Sequence, residues 1–178
     1  MSAARATPGG WRWRPMAAAD LPGVLALAEA VHPDYPEDAA VFAERLRLFP
    51  EGCLTLETQA GLAGYLVAHP WTAGRPPALN SLLGALPARP QLYYLHDLAL
   101  APAARGSGAA PAAVALAAQT AARLGLGRMA LVAVGGADGF WRRCGFAPAA
   151  EPALQEAARR YDPHALYMTR ETVAAAAK

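Results

Sequence analysis

Lysine is almost absent from this chain: Lys178 is the only one in 178 residues, so nearly every positive charge is an arginine. A phosphate loop of the GK[ST] kind needs a lysine after its last glycine and is therefore excluded. Cysteine is scarce as well. Cys53 and Cys144 lie far apart and form no CxxC pair, which rules out a disulfide framework and a cysteine metal knuckle and leaves two free thiols. His32 and His164 lack metal-ligand spacing, so no metal site is expected. Long apolar runs are missing: the alanine-rich stretch 109–122 is interrupted by Pro111, Gln119 and Thr120, well short of the roughly eighteen residues of a membrane span. The first ten residues have no apolar middle of the secretory kind. A charge excess is missing too, since 16 basic against 14 acidic residues give +2. That is too little for a surface that holds nucleic acid or anionic lipid. Together these absences lead us to expect a cytoplasmic protein with no nucleic-acid or membrane partner.

What is present is a chain 54% hydrophobic and 17% charged, with sixteen prolines and sixteen glycines scattered along it. That composition excludes wholesale disorder. The length suits one domain able to bury roughly 70% of its unfolded surface. Trp11 to Met16 alternates tryptophan with arginine, as a half-buried strand does. Asp20 is a candidate N-cap for a helix with Pro22 in its first turn and Leu21, Val24, Leu25, Ala28 and Val31 at helical spacing, ending before His32-Pro33. A second helical stripe, Phe42, Leu46 and Phe49, follows Asp34, Glu37 and Asp38; acids there stabilise a helix N-terminus, and attraction of a cationic amine is the competing reading. Cys53–Thr58 and Leu62–His69 flank a turn at Gln59-Ala60-Gly61, predicting an antiparallel hairpin. About twenty residues punctuated by Pro70, Pro76, Pro77, Pro87 and Pro90 show no strand pattern, and a connection that long is functional or mobile.

Gln91–Ala101 then reads as a strand, Ala109–Leu124 as a helix closed by Gly125 and Gly127, and Arg128–Val134 as a buried strand. A short helix, Asp138–Cys144, ends at Gly145, and His164–Arg170 reads as the last strand. The order β-α-α-β-β-β-α-β-α-β predicts an α/β fold of the mixed α+β kind, with a central mixed sheet flanked by helices. One domain is expected over 11–171, with tails at 1–10 and 172–178.

Arg105-Gly106-Ser107-Gly108-Ala109-Ala110 joins a predicted strand to a predicted helix. Small residues allow close backbone approach, and the free N–H groups and dipole of the helix N-terminus favour a phosphate there; a plain flexible turn is the alternative. A dinucleotide fingerprint does not fit, because Pro111 stands at its last glycine position and no acid follows about twenty residues on.

With Leu95-His96-Asp97-Leu98-Ala99-Leu100-Ala101-Pro102 before that loop and Phe140-Trp141-Arg142-Arg143-Cys144-Gly145-Phe146 after it, the chain resembles the GCN5-related N-acetyltransferase (GNAT) family, and His164–Arg170 is similar to its closing strand. The resemblance implies acetyl-CoA as cofactor and acetyl transfer to a primary amine of a small molecule or peptide. It places the pantetheine beside Leu98, Ala99 and Leu100, the pyrophosphate on the amides of Arg105, Gly106, Ser107, Gly108, Ala109 and Ala110, and Phe140 and Trp141 against the cofactor. Strand parity puts Tyr94, His96, Leu98 and Leu100 on one face and Asp97 on the other. His96, with an ordinary pKa near 6.5, is the candidate base, a buried structural histidine being its competing reading. Trp141 stands where the family often has an acidic tyrosine and cannot donate that proton, so Tyr94, Tyr161, Tyr167 or solvent must. The family's frequent asparagine before this block is replaced around Val134-Gly135-Gly136. Tyr65, His69 and Trp71 are core or acceptor-side residues, with core favoured. Two partners remain open: an amine acceptor and a second copy of the chain, since dimers are the commonest soluble assembly. The alternative to an enzyme is a CoA-binding regulatory or structural module without turnover.

Overall fold

The computed structural model describes residues 10–172. Seven strands form one mixed sheet in the order β1-β2-β3-β4-β5-β7-β6. In chain order the elements are β1 (Trp11–Pro15), α1 (Leu21–Val31), α2 (Ala39–Leu48), β2 (Cys53–Thr58), β3 (Gly61–Trp71), β4 (Leu92–Leu100), α3 (Ala109–Arg123), β5 (Arg128–Ala133), α4 (Asp138–Arg143), β6 (Ala147–Pro148), α5 (Pro152–Ala158) and β7 (Leu166–Glu171). Every predicted element is present, and two short ones, β6 and α5, lie in the alanine- and arginine-rich stretch where no strand or helix was expected. Their length explains this, since two and seven residues show no period. Pro152 opens α5, and Gln155 fastens it: its amide donates to the carbonyls of Ala149 and Tyr167 at 2.8 and 2.9 Å and accepts from Tyr167 N–H.

Apolar residues on the two faces of the sheet make separate cores. Under α3, the small residues Ala113, Ala117 and Ala121 let the helix sit close on Leu66, Tyr93, Leu95, Leu100, Met129 and Leu131, joined by Trp13, Trp141 and Phe146. On the other face, α1 and α2 cover Val24, Phe42, Tyr65, Val67 and Ala99, while α5 covers Leu92, Tyr94, Ala130 and Tyr167. The ends of α3 and α4 are closed by the same device. Gly125 and Gly145 adopt left-handed backbones (φ 70 and 87) and donate to Ala122 and Arg142, while the following residues donate to Ala121 and Trp141. This paired bonding satisfies the last carbonyls of each helix.

Two local expectations are corrected. Asp20 stands at the N-cap position of α1 but makes no side-chain cap bond there; its carboxylate accepts from Arg14 at 2.7 and 2.8 Å and from Ala17 N–H at 2.8 Å, holding the short turn before α1. Thr172 belongs to no tail: it is buried, its N–H bonds Gly127 O at 2.9 Å and its hydroxyl bonds Leu126 O at 2.6 Å. The rest of the predicted tails, 1–9 and 173–178, lies outside the described residues. The long proline-rich connection is held in place by α2. Buried Glu44 accepts from Leu83 and Gly84 N–H at 2.7 and 2.9 Å, and buried Arg45 donates to Ser81 O at 2.9 Å.

Candidate active site

Strands β4 and β5 run parallel but pair only at Tyr93–Met129 and Tyr94–Ala130. Beyond Tyr94 they diverge, and a cavity of about 280 Å³ lies in the splay, lined on one side by Tyr94 to Leu100 and on the other by Leu131, Val132 and Val134. The β4 edge that faces β5 thus leaves the ladder where Leu98 and Leu100 stand, offering main-chain groups to a ligand that carries amides.

At the end of β4 the chain turns through Arg105–Ala110 into α3. Gly106 and Gly108 are left-handed (φ 73 and 84), Gly108 being the residue before the helix, and a Cβ on either would meet open space. Glycine is therefore required by backbone angle, not by crowding. Ser107 shapes the turn, its hydroxyl donating to Ala104 O at 2.7 Å and accepting from Ala109 N–H at 3.3 Å. Among the described residues, the loop amides of Gly106, Ser107 and Gly108 donate to no protein group. They are exposed, and the neighbouring Arg105 and Ala110 line the cavity, so an anion at the helix N-terminus is in line with a chain along β4. Two indoles fix this turn from behind: Trp11 Nε1 donates to Ser107 O at 3.3 Å and Trp13 Nε1 to Ala109 O at 2.9 Å. A pyrophosphate carried on an amide-bearing arm fits these residues. Phe140 and Trp141 close the same end of the cavity, and Trp141 packs edge-on against Phe140 and Phe146.

The predicted side-chain parity of β4 is wrong, and a bulge is the reason. Asp97 pairs with Val67 and Leu95 with Ala68, leaving His96 as the extra residue. The bulge resets the alternation. Tyr93, Leu95, Leu98 and Leu100 consequently share the α3 face, while Tyr94 lies on the opposite one. Asp97 also points to the α1 side, not away from His96: it accepts from the Tyr65 hydroxyl at 2.5 Å and lies 3.1 Å from His32 Nε2. That last approach misses hydrogen-bond alignment and acts as a charge contact.

His96 Nε2 lies 2.7 Å from Glu37 Oε2, with both side chains buried at 5% and 6% exposure. Glu37 Oε1 accepts from Asn80 N–H at 3.0 Å. A carboxylate can only accept, so it fixes the hydrogen on Nε2 and leaves the lone pair of the neutral ring on Nδ1. Both side chains line the cavity. Glu37 thus does not serve as the helix stabiliser expected of it, and at the N-terminus of α2 no side chain caps the helix: Asp38 bonds Asn80 instead. Sequence reading missed Glu37 as a partner of His96, because 59 residues of chain separate the two and neither carries a local signal of the other.

The remaining expected residues divide clearly. Tyr94 and Tyr161 line the cavity, and burial, ahead of all other causes, raises the pKa of each, keeping both as neutral O–H donors. Tyr167 is core and does not reach the cavity, its pKa pushed up to about 12 by burial. Tyr65 and His69 are core as well; desolvation drives His69 down to about 3, so its ring is neutral. Gly135, where the family often has asparagine nearby, donates its N–H to Asp162 at 3.4 Å. Among the described residues, no three His, Cys, Asp or Glu side chains are grouped to hold a metal ion, and no helix is long and apolar enough to cross a membrane.

Residues 15–146 match the Acetyltransferase (GNAT) family. The chain belongs to that family. No curated protein matches it. Among solved structures, Ard1 from Thermoplasma volcanium is similar with a TM-score of 0.69 at 14% identity, covering 92% of this chain and 99% of that one. Naa20 from Chaetomium thermophilum, in complex with a bisubstrate analogue, gives 0.66 at 16% identity over 90% of this chain and 86% of its own. The GphF GNAT-like decarboxylase in complex with isobutyryl-CoA gives 0.75 at 17% identity over 91% and 100%. At such identities the likeness is one of fold.

Proposed function

We propose that this GNAT protein is an N-acetyltransferase that moves an acetyl group from acetyl-CoA directly to a primary amine. The observation that carries the reading is that three features adjoin one cavity: the free loop amides at Gly106–Gly108 beside Arg105 and Ala110, the unpaired β4 edge, and the buried Glu37–His96 pair. Relatives in fold that hold CoA or a CoA derivative add support.

When bound, acetyl-CoA supplies an activated thioester carbonyl. The amides of Gly106, Ser107 and Gly108 hold its pyrophosphate, the Leu98–Leu100 main chain holds the pantetheine, and Phe140 and Trp141 exclude water from that arm. Attack on the carbonyl carbon requires a neutral amine, whose nitrogen has a free lone pair. In the neutral ring whose Nε2–H points at Glu37, His96 Nδ1 carries the lone pair that accepts the amine's proton, directly or through one water. Trp141 has no proton to give the departing thiolate. The hydroxyl of Tyr94 on the cavity wall takes that role, or solvent does, since the Tyr161 hydroxyl is already donated to Pro77 O.

The test is acetyl-CoA thermal shift alongside thiol release over a panel of amines. Stabilisation by acetyl-CoA together with amine-dependent thiol release is expected. Stabilisation without release on any acceptor would make the chain a CoA-binding module, and no stabilisation would end both readings.

A further inference from the structure

Three segments distant in the chain bound the acceptor side of the cavity: 32–38 after α1, 75–80 between β3 and β4, and 161–164 between α5 and β7. They are tied to one another in pairs. The first and second meet where Asn80 N–H donates to Glu37 at 3.0 Å and Asp38 N–H donates to Asn80 Oδ1 at 2.7 Å. The second and third meet where the Tyr161 hydroxyl donates to Pro77 O. The third returns to the first where the Tyr35 hydroxyl donates to Asp162 Oδ2 at 2.5 Å. The three ties close a ring. Asn80 holds a left-handed backbone to make its contacts (φ 53), the only non-glycine among the described residues to do so. Such a conformation persists where surrounding bonds over-determine it.

Space and charge narrow what the ring admits. A volume of about 280 Å³ lies at the small end of the roughly 300–1,000 Å³ typical of ligand pockets. Leu98, Leu100 and Phe140, where the pantetheine arm belongs, line part of it. Apart from two acid–histidine pairs, the remaining wall is aromatic and apolar: Tyr35, Tyr94, Tyr161, Leu79 and Val132. The two carboxylates there, Glu37 and Asp97, already face His96 and His32. Among the described residues lining the cavity the one arginine is Arg105, at the opposite end and folded onto Leu100 O. The α-carboxylate of an amino acid would meet no guanidinium.

We propose that the acceptor is a compact primary amine on a short uncharged alkyl or arylalkyl stem, and that the ring of tied segments excludes peptides and amino acids. The inference rests on the acetyl-transfer reading above. A peptide would have to carry its backbone through the ring and break at least one tie, whereas a small amine enters with the ties intact. Tyrosine faces also suit an ammonium group before it gives up its proton and an apolar stem afterwards.

The experiment measures binding without turnover, by titration calorimetry of three conjugates. In each, the sulfur of CoA is joined through an acetyl linker to 2-phenylethylamine, to the nitrogen of glycine, or to the N-terminus of a hexapeptide. The phenylethylamine conjugate is expected to bind at least about tenfold tighter than either of the others and than CoA itself. Asp162→Ala should bring the hexapeptide conjugate closer to it by loosening the ring. A hexapeptide or glycine conjugate that binds as tightly as the phenylethylamine one overturns the proposal while leaving acetyl transfer standing. Failure of CoA and all conjugates to bind overturns acetyl transfer and this inference with it.

Discussion

The two ends of the cavity are built in different ways. The cofactor end is local: six consecutive residues, Arg105 to Ala110, set their own backbone angles and present their amides because two glycines allow it. The acceptor end is assembled from side chains that meet across 43, 59 and 127 residues of chain, in Asn80 with Glu37, His96 with Glu37, and Tyr35 with Asp162. A motif of the first kind tolerates little change within itself and leans on few distant groups, here the indoles of Trp11 and Trp13. An assembly of the second kind can be altered one tie at a time, which is how one scaffold keeps a cofactor grip while its acceptor varies.

That contrast makes the largest expected effect fall at the loop. Gly108→Glu places a carboxylate beside the pyrophosphate and forces a side chain into a left-handed backbone, which costs about 1–2 kcal/mol. Differential scanning fluorimetry should show a melting point lowered by a few degrees, still cooperative, with the acetyl-CoA shift gone. A retained shift would break the assignment of the cofactor end. Next in size is His96→Ala at the other end. Loss of a positioned base lowers kcat by about 10²–10⁴-fold, with acetyl-CoA stabilisation unchanged. An unaltered pH–rate profile would remove His96 from the reaction.

Glu37→Gln keeps the shape of the side chain and removes its charge. Kinetics should show a fall of about 10–100-fold in kcat and a displaced pH–rate limb, with binding of acetyl-CoA untouched. If acetyl-CoA affinity fell instead, the two ends would not be independent.

The smallest effect concerns His32. Burial alone would lower its pKa, but the adjacent Asp97 outweighs that and the net direction is upward. A raised folded pKa means that the stabilisation is complete below the ordinary value of about 6.5 and drains away as pH climbs through the folded value. Denaturant melts of His32→Ala against the parent should therefore differ more near pH 5.5 than near pH 8.5. An equal difference at both would show that the ring acts by packing alone.

The same contrast decided what could be read from the sequence. The strand, loop and helix of 91–124 were legible because glycine, proline and helical spacing are local signals. So was Gly145 at the end of α4. The parity of β4 was misread at His96, since an extra residue in a ladder depends on how β3 presses against it. Glu37 was taken for a helix stabiliser because its chain neighbours suggested that, and only the folded sheet brings it to His96. Asn80, Tyr35 and Asp162 carried no signal at all, since nothing within a few residues of any of them marks a partner on another loop.

The two indoles of β1 give the outermost strand of the sheet a reach beyond its own edge. Because Trp11 and Trp13 grip the carbonyls of Ser107 and Ala109 from behind, fraying of that strand would slacken the turn whose amides face forward. Occupancy of the turn should in return slow deuterium uptake in β1, so that strand reports on events nearly a hundred residues downstream.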